Sequence, residues 1–378
     1  MEFGLGLMNY PGCWDDVAFA EQHGFATAGF VESPVIAGDP FVCMGLTLQA
    51  TSTIRVGNLI NTPGLRDPIS AASALSVLNT VGPGRVFFGV GTGYTSRLAL
   101  GRKRQVPIAT LGEYARTVRD LLEGREVMHE LGASKRAVRM TNEGFLRTNR
   151  DHPIPVYVAA DGPRALEMVG EVGDGLITTL RYASAWENAP EVFAASLATV
   201  KSAANSAGRS LEDPFTAWAP TMCVLEPGES AVSERALAMS GPLAMIPFHS
   251  YACDRQLAEQ WPPAFRDRID IYEQEVLSRF DVSPEHLYQE VHAGHLTHLL
   301  EGEASVLTEK IIRMTTLTGT ADEIVAHLQA MEDAGLKNFT IWAPPNQVRD
   351  VIKDVAEKIM PRLTGSSQAP DRPAVAAQ

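Results

Sequence analysis

Residues Ile54 to Pro68 read IRVGNLINTPGLRDP. Ile54 to Ile60 has the length and apolar content of a buried strand, and Asn61 to Gly64 reads as a constrained turn. Asp67-Pro68 then opens a helix, with proline at the first helical position, where its missing N–H costs nothing. A strand, a short turn and a helix make one βα unit. Repeated along a chain, such units give a parallel sheet, because parallel neighbours need a crossover between them.

The unit recurs on both sides. Upstream, Phe3 to Met8 predicts a strand, Asn9 to Gly12 its exit loop, and Trp14 to His23 a helix closed by Gly24. Thr27 to Val31 is the second strand, followed by the loop ESPVIAGDP and a helix over about Phe41 to Thr51. Downstream, Arg85 to Val90, Ile154 to Ala159, Gly175 to Thr179, Phe215 to Leu225 and Phe339 to Trp342 complete the strands. The intervening helices fall near Leu111 to Glu123, at GPRALEMVGEVG, near Pro190 to Ala207 and over Gln347 to Leu363. Eight strands, each followed by a helix, predict an α/β fold of the closed (β/α)8 TIM-barrel type.

Two stretches interrupt the count. Glu126 to Arg147 reads as a hairpin-like excursion around a Gly-Ala-Ser turn. Pro227 to Thr316, between strands seven and eight, is far longer than an ordinary connection and is expected to act as a lid or substrate element. Its helical patterns fall at Ser233 to Met239, Pro262 to Arg279 and Ser283 to Leu300, and Trp261, Phe265, Tyr272 and Phe280 read mainly as core. Residues 1–363 are expected to form one domain, and 364–378 a disordered tail.

Composition narrows the function. The 378 residues carry 32 basic and 45 acidic side chains, a net charge of −13 that disfavours nucleic acid as a partner. Cys13, Cys43, Cys223 and Cys253 form no CxxC pair, which argues against a zinc ribbon or a disulfide framework. No signal segment or run of about 18 apolar residues is visible, so a cytoplasmic protein without a membrane association is expected.

A barrel of this kind builds its site at the C-terminal ends of its strands. After the fourth strand comes Gly91-Thr92-Gly93-Tyr94, where glycine lets a ring or phosphate approach the backbone. After the fifth, Ala160-Asp161-Gly162-Pro163-Arg164 runs into a helix N-terminus, an anion site by its free N–H groups and dipole; the alternative is an ordinary N-cap at Asp161. Arg66, after the third, suits a structural pair with Asp67 or Glu32. Neither a GxGxxG fingerprint after the first strand nor a Walker loop is present.

Four segments, TSTIRVGNLINTPGLRDPISAA, GRVFFGVGTGY, IPVYVAADGPRALEMVGEVGDGLI and LTGTADEIVAHLQAMEDAGLKNFTIW, resemble in order and spacing the luciferase-like monooxygenase family of flavin-dependent oxidoreductases. The most similar branch holds methylenetetrahydromethanopterin reductase. The resemblance implies a barrel that binds FMN or a deazaflavin over its strand ends. Asn61 and Thr62 would match a third-strand bulge, often a non-proline cis peptide, that supports the ring. Gly91 and Gly93 would sit beside it, and Ala160, Gly162, Pro163 and Arg164 at its phosphate. True luciferases carry a histidine just after strand two. Here Val31-Glu32-Ser33 stands instead.

The histidine-rich run His292-Ala293-Gly294-His295-Leu296-Thr297-His298 suggests a metal cluster. On a helix, however, that spacing walks about 120° around the axis while rising about 9 Å, which disfavours convergence on one ion. No metal is therefore expected. His292 or His295 is the sharper candidate for proton transfer, with Glu32 and Tyr94 beside them. The leading expectation is a two-component monooxygenase that takes reduced FMN from a separate flavin reductase and uses dioxygen on a small organic substrate. A reductase or dehydrogenase dependent on the deazaflavin coenzyme F420, and a non-catalytic flavin-binding relative, are the alternatives. A homodimer or higher homo-oligomer is expected.

Overall fold

The computed structural model describes residues 1–98, 100–101, 105–131, 134–141, 150–180 and 185–363. Its strands in chain order are β1 (Glu2–Leu7), β2 (Thr27–Phe30), β3 (Arg55–Asn58), β4 (Val86–Val90), β5 (Val127–Leu131), β6 (Ser134–Val138), β7 (Val156–Ala159), β8 (Gly175–Thr178), β9 (Phe215–Trp218), β10 (Met222–Leu225), β11 (Leu317–Thr320) and β12 (Asn338–Trp342). Eight of them close a barrel in the order β1-β12-β9-β8-β7-β4-β3-β2. Every pairing around it is parallel. The chain is thus the (β/α)8 barrel that the sequence predicts.

Strand alternation sorts the side chains into two layers. Leu5, Phe30, Val56, Phe88, Val158 and Phe339 face outward and join the core beneath the helices. Leu59, Phe87, Tyr157, Ile177 and Ala217 fill the barrel interior. There the Tyr157 ring stacks on Phe215 with centroids 4.3 Å apart.

Three departures from the sequence reading have physical causes. Phe215 to Leu225 is not one strand. Pro220 has no N–H to give a ladder, so β9 ends at Trp218 and β10 leaves the barrel. β10 pairs in parallel with β11, a strand of only four residues that the sequence reading missed. The third strand is regular only to Asn58. Beyond it a non-proline cis peptide joins Leu59 to Ile60, two residues before the pair the resemblance pointed to. The ladder then resumes, with Asn61 N–H donating to Gly89 O at 2.8 Å and Gly91 N–H to Asn61 O at 3.0 Å.

β5 and β6 form the antiparallel hairpin, pairing Val127 with Val138 and Leu131 with Ser134. Residues 132–133 of its turn lie outside the described residues, as does the tail expected over 364–378. The insertion has a core of its own, with Phe248, Tyr272, Val291, Ile311 and Ile312 fully buried. Phe265 is buried there too, while Trp261 and Phe280 pack partly exposed against it. Where a continuous helix was expected over Ser283 to Leu300, only Leu287–Val291 is helical. Among the described residues no helix is long and apolar enough to cross a membrane.

The helices Pro163–Val172 and Ala189–Ser206 approach closely at Gly170. A Cβ there would stand 2.4 Å from Val200 O and 2.6 Å from Ala204 N, both backbone atoms that cannot swing aside. Gly170→Ala should therefore destabilise the fold by about 1–3 kcal/mol, despite alanine's better helix propensity. Urea unfolding would show a lower midpoint at constant slope; an equal or higher midpoint would mean that the helices can separate at little cost.

Candidate active site

Because all eight barrel strands are parallel, their C-terminal ends share one rim. Its first fixed point is Asn9, just after β1. The Asn9 amide donates to Val31 O at 2.6 Å and Gly38 O at 2.8 Å, and its oxygen accepts Val31 N–H at 3.2 Å. One buried asparagine thereby pins the loop that follows β2.

That loop carries Glu32, whose side chain is 4% exposed. Its Oε2 accepts Asn61 Nδ2–H and the Thr62 amide, and its Oε1 accepts Arg66 Nε–H at 3.1 Å. Arg66 reaches on to Asp39, and its guanidinium lies over the Phe41 ring. From the other side Tyr114 O–H donates to Asn61 Oδ1 at 2.7 Å. Burial pushes the Glu32 carboxyl above its usual range, opposed by the Thr62 amide and by Arg66. Both carboxylate oxygens are engaged, so the observed role of Glu32 is to hold Asn61 and Thr62. Arg66 pairs with Glu32 and Asp39 rather than with Asp67.

Across the β3–β4 seam the glycines serve packing. A Cβ on Gly91 would lie 1.9 Å from Ile60 Cδ1, and Gly93, at φ +64°, would set one 2.5 Å from Thr62 Cγ2. The turn at Leu59 to Thr62 is thus held by a carboxylate, a phenol and two glycines at once.

After β7, the helix Pro163–Val172 begins on Gly162, which has no side-chain cap. Asp161 is not the N-cap. Its carboxylate instead accepts Thr178 Oγ1–H at 2.6 Å, Thr179 N–H at 3.1 Å and Thr179 Oγ1–H at 3.0 Å, tying the β7 exit to the β8 exit. The amides of Gly162 and Arg164 have no partner among the described residues, and nothing stands within 4 Å of where a Gly162 Cβ would be. Two free N–H groups, a helix dipole and the exposed Arg164 fit an anion such as a phosphate. Ala160 is buried behind them.

The insertion crosses this rim. Tyr288 O–H donates to Thr95 O, next to half-buried Tyr94, at 3.0 Å. Leu296 lines a small space with Pro242, Leu243, Thr221, Trp342 and Pro344. His292 and His295 face inward instead. Their rings lie 5.1 Å apart and 5.5 and 5.9 Å from His249, which pairs with Glu303 Oε1 at 2.6 Å. Tyr288 stacks on His292 at 4.1 Å. Since residues 292–298 are turns, the helical argument against a metal does not apply; among the described residues no three His, Cys, Asp or Glu side chains are placed to hold one. Asn9, Tyr114, Thr178, His249 and Glu303 were not foreseen, because their roles arise from contacts between segments distant in sequence.

The family model described as luciferase-like monooxygenase matches residues 15–338. The chain belongs to that family. A 5,10-methylenetetrahydromethanopterin reductase from Archaeoglobus fulgidus is 24% identical over 323 residues, covering 84% of this chain and 86% of the relative. An F420-dependent glucose-6-phosphate dehydrogenase from Gordonia bronchialis is 33% identical, but over 35% of this chain and 39% of that one. Among solved structures, a coenzyme F420-dependent tetrahydromethanopterin reductase from Methanopyrus kandleri superposes with a TM-score of 0.67 at 19% identity, covering 96% of this chain and 99% of the other. The FMN-bound oxygenating component of 3,6-diketocamphane monooxygenase from Pseudomonas putida gives 0.63 at 14% identity, with 96% and 98% covered. The chain is accordingly a barrel of an oxidoreductase family.

The buried imidazoles carry a pH signature. Burial, and then the neighbouring His249, hold His292 down to about 3 and His295 well below its usual value. The folded insertion therefore keeps them neutral, whereas an unfolded segment takes up protons below about pH 6.5. Stability that is complete above pH 6.5 should fall as pH drops, by up to about 2 kcal/mol per imidazole at pH 5. Amide exchange, corrected for intrinsic rate, should accelerate over 246–253 and 287–300 at pH 5 while the barrel strands stay protected. Equal protection of both regions at pH 5 and pH 7 would contradict the assignment.

Proposed function

We propose that this chain is a coenzyme F420-dependent reductase or dehydrogenase, moving hydride between the deazaflavin and a small organic substrate. The observation that carries the reading is a turn locked from four sides, at Leu59 to Thr62, on the same rim as an uncapped helix N-terminus with two free amides. A flat ring needs a rigid backing and its phosphate needs donors; this rim offers both. The relatives named for F420 favour the deazaflavin. When bound, that cofactor supplies the hydride acceptor or donor.

The protein's own contributions follow from the contacts. Leu59 to Thr62 would back the ring, with Gly91 and Gly93 keeping that surface flat. Gly162, Pro163 and Arg164 would receive the phosphate over Ala160. Of the candidate proton carriers, Tyr94 is half-buried on the rim, whereas the oxygens of Glu32 are committed to donors and His292 and His295 face His249. We assign the substrate proton to Tyr94. The insertion acts as the cover that keeps water from the rim.

A second reading keeps the same site but takes reduced FMN from a separate reductase and dioxygen as co-substrate. The FMN-bound monooxygenase among the similar structures favours it. Equilibrium binding of reduced and oxidised F420 and FMN separates the two. The F420 reading requires tighter F420 binding and anaerobic turnover; FMN preference with oxygen uptake would replace it with the second.

Two variants test the residues. Gly162 has ordinary φ and open space beside it, so Gly162→Asp should fold normally, yet weaken cofactor binding at least tenfold by placing a carboxylate at the anion site. Unchanged affinity would remove this loop from the site. Tyr94→Phe should lower turnover roughly 10²- to 10⁴-fold with cofactor affinity unchanged; a loss below about threefold would assign the proton elsewhere.

A further inference from the structure

Two short helices meet where the insertion reaches the rim. One is Thr95–Leu98, four residues just after Tyr94, and the other is Leu287–Val291, five residues of the insertion. Neither can hold its own shape, since an isolated helix below about 12 residues is marginal in water. Each is therefore fixed by what it touches. The link between them is Tyr288 O–H, which donates to Thr95 O at 3.0 Å although the two residues lie 193 positions apart in the chain.

On the insertion side, one side chain grips Tyr288 at two points. The His292 ring stacks on the Tyr288 ring at 4.1 Å with 18° between their planes, and His292 Nδ1 lies 3.0 Å from Tyr288 O. A carbonyl only accepts, so Nδ1 carries the proton. His292 is itself buried, with its ring 5.5 Å from that of His249 and 5.1 Å from that of His295. Glu303 anchors this group: its Oε1 lies 2.6 Å from His249 Nε2, and its Oε2 accepts Leu300 N–H at 2.7 Å. A fully buried carboxylate with both oxygens engaged does not move without exposing an unpaired charge to an apolar interior, so the cluster is a rigid base for Tyr288.

On the barrel side, Tyr94 O accepts the Arg97 and Leu98 amides at 3.1 and 3.0 Å, so the short helix hangs from Tyr94. Gly93, just before it, sits against Thr62, where a Cβ would stand 2.5 Å from Thr62 Cγ2. Tyr94 thus lies between an anchor on the β3 turn and an anchor on the insertion. We propose that Tyr288 is a positioning residue: braced by His292, it fixes the backbone that carries Tyr94 and thereby the Tyr94 phenol at the rim. The buried histidines act on the rim through Tyr288. This deepens the function proposed above, which gives Tyr94 the substrate proton, and rests on that reading for the catalytic meaning of the contact.

The test reads Tyr94 in the full chain without cofactor or substrate, so its failure is separable from failure of the F420 reading. In protein labelled with 3-fluorotyrosine, fluorine NMR identifies the Tyr94 resonance by its loss in Tyr94→Phe. Tyr288→Phe keeps the stacked ring and removes only the O–H. It should shift or broaden the Tyr94 resonance and speed amide exchange of Arg97 and Leu98 about three- to tenfold, the worth of one neutral hydrogen bond, with exchange over 246–253 unchanged. His292→Asn loses the stacked ring but keeps a side-chain N–H for the Tyr288 carbonyl. It should speed the same two amides in the wild-type background and add nothing in the Tyr288→Phe background. A Tyr94 resonance and Arg97 and Leu98 exchange indistinguishable from wild type in Tyr288→Phe would overturn the proposal. So would a His292→Asn effect on these amides that is equal with and without the Tyr288 hydroxyl. If the expected responses appear in a protein whose Tyr94→Phe variant keeps its turnover, Tyr288 still positions the segment and only the proton assignment above falls.

Discussion

A single buried carboxylate organises the rim. Glu32 arrives on the loop after β2, yet its oxygens are filled by donors from Asn61, Thr62 and Arg66, all beyond β3. Leaving a carboxylate unpaired in such a place costs several kcal/mol, so the three donors are drawn to it together. Asn61, once fixed on one side, is fixed on the other by Tyr114 from the helix Ile108–Leu122. Strand ends that could splay apart are thereby joined across two βα units. Arg66 extends the chain of contacts to Asp39, which also caps the helix Pro40–Ala50 through the Phe41 and Val42 amides.

Around this fixed turn the rest of the site is built from backbone. The glycines after β4 let Ile60 and Thr62 sit against them, and the helix after β7 starts without a cap because Asp161 is turned to Thr178 and Thr179. That diversion leaves the helix amides for a ligand. A serine or threonine at position 162 could satisfy one of those amides internally. Glycine cannot. The insertion reaches this rim where Tyr288 O–H donates to Thr95 O, while His249 and Glu303 pair with each other inside it.

Much of the barrel was legible because its strands are short apolar runs followed by strong turn and capping residues. Asp67-Pro68 and Asp39-Pro40 begin helices as their chemistry dictates. The errors fall where a local rule met a tertiary one. Pro220 marked the end of β9 in plain view, but Met222 to Leu225 still reads as strand because it is one, paired with β11 far along the chain. The run from His292 to His298 looked helical, yet it folds as turns around Gly294, whose Cβ would meet His298 O at 2.3 Å. Within the candidate site, Glu32 and the glycines after β4 were visible from their positions beyond the strands, and Asn61 and Thr62 through the family resemblance. Tyr114, His249 and Glu303 were not, since nothing near them in sequence distinguishes them from ordinary helix residues.

The turn at Leu59 to Thr62 and the helix start at Gly162 form one proposed ligand site, the claim on which the rest depends. Hydrogen exchange of the full chain, with and without saturating F420, reads that claim directly. It predicts added protection at residues 59–64, 89–94 and 160–166 together, with the outer faces of the barrel helices unchanged. Protection at only one of the three segments, or none at any of them while the cofactor is bound, would contradict it.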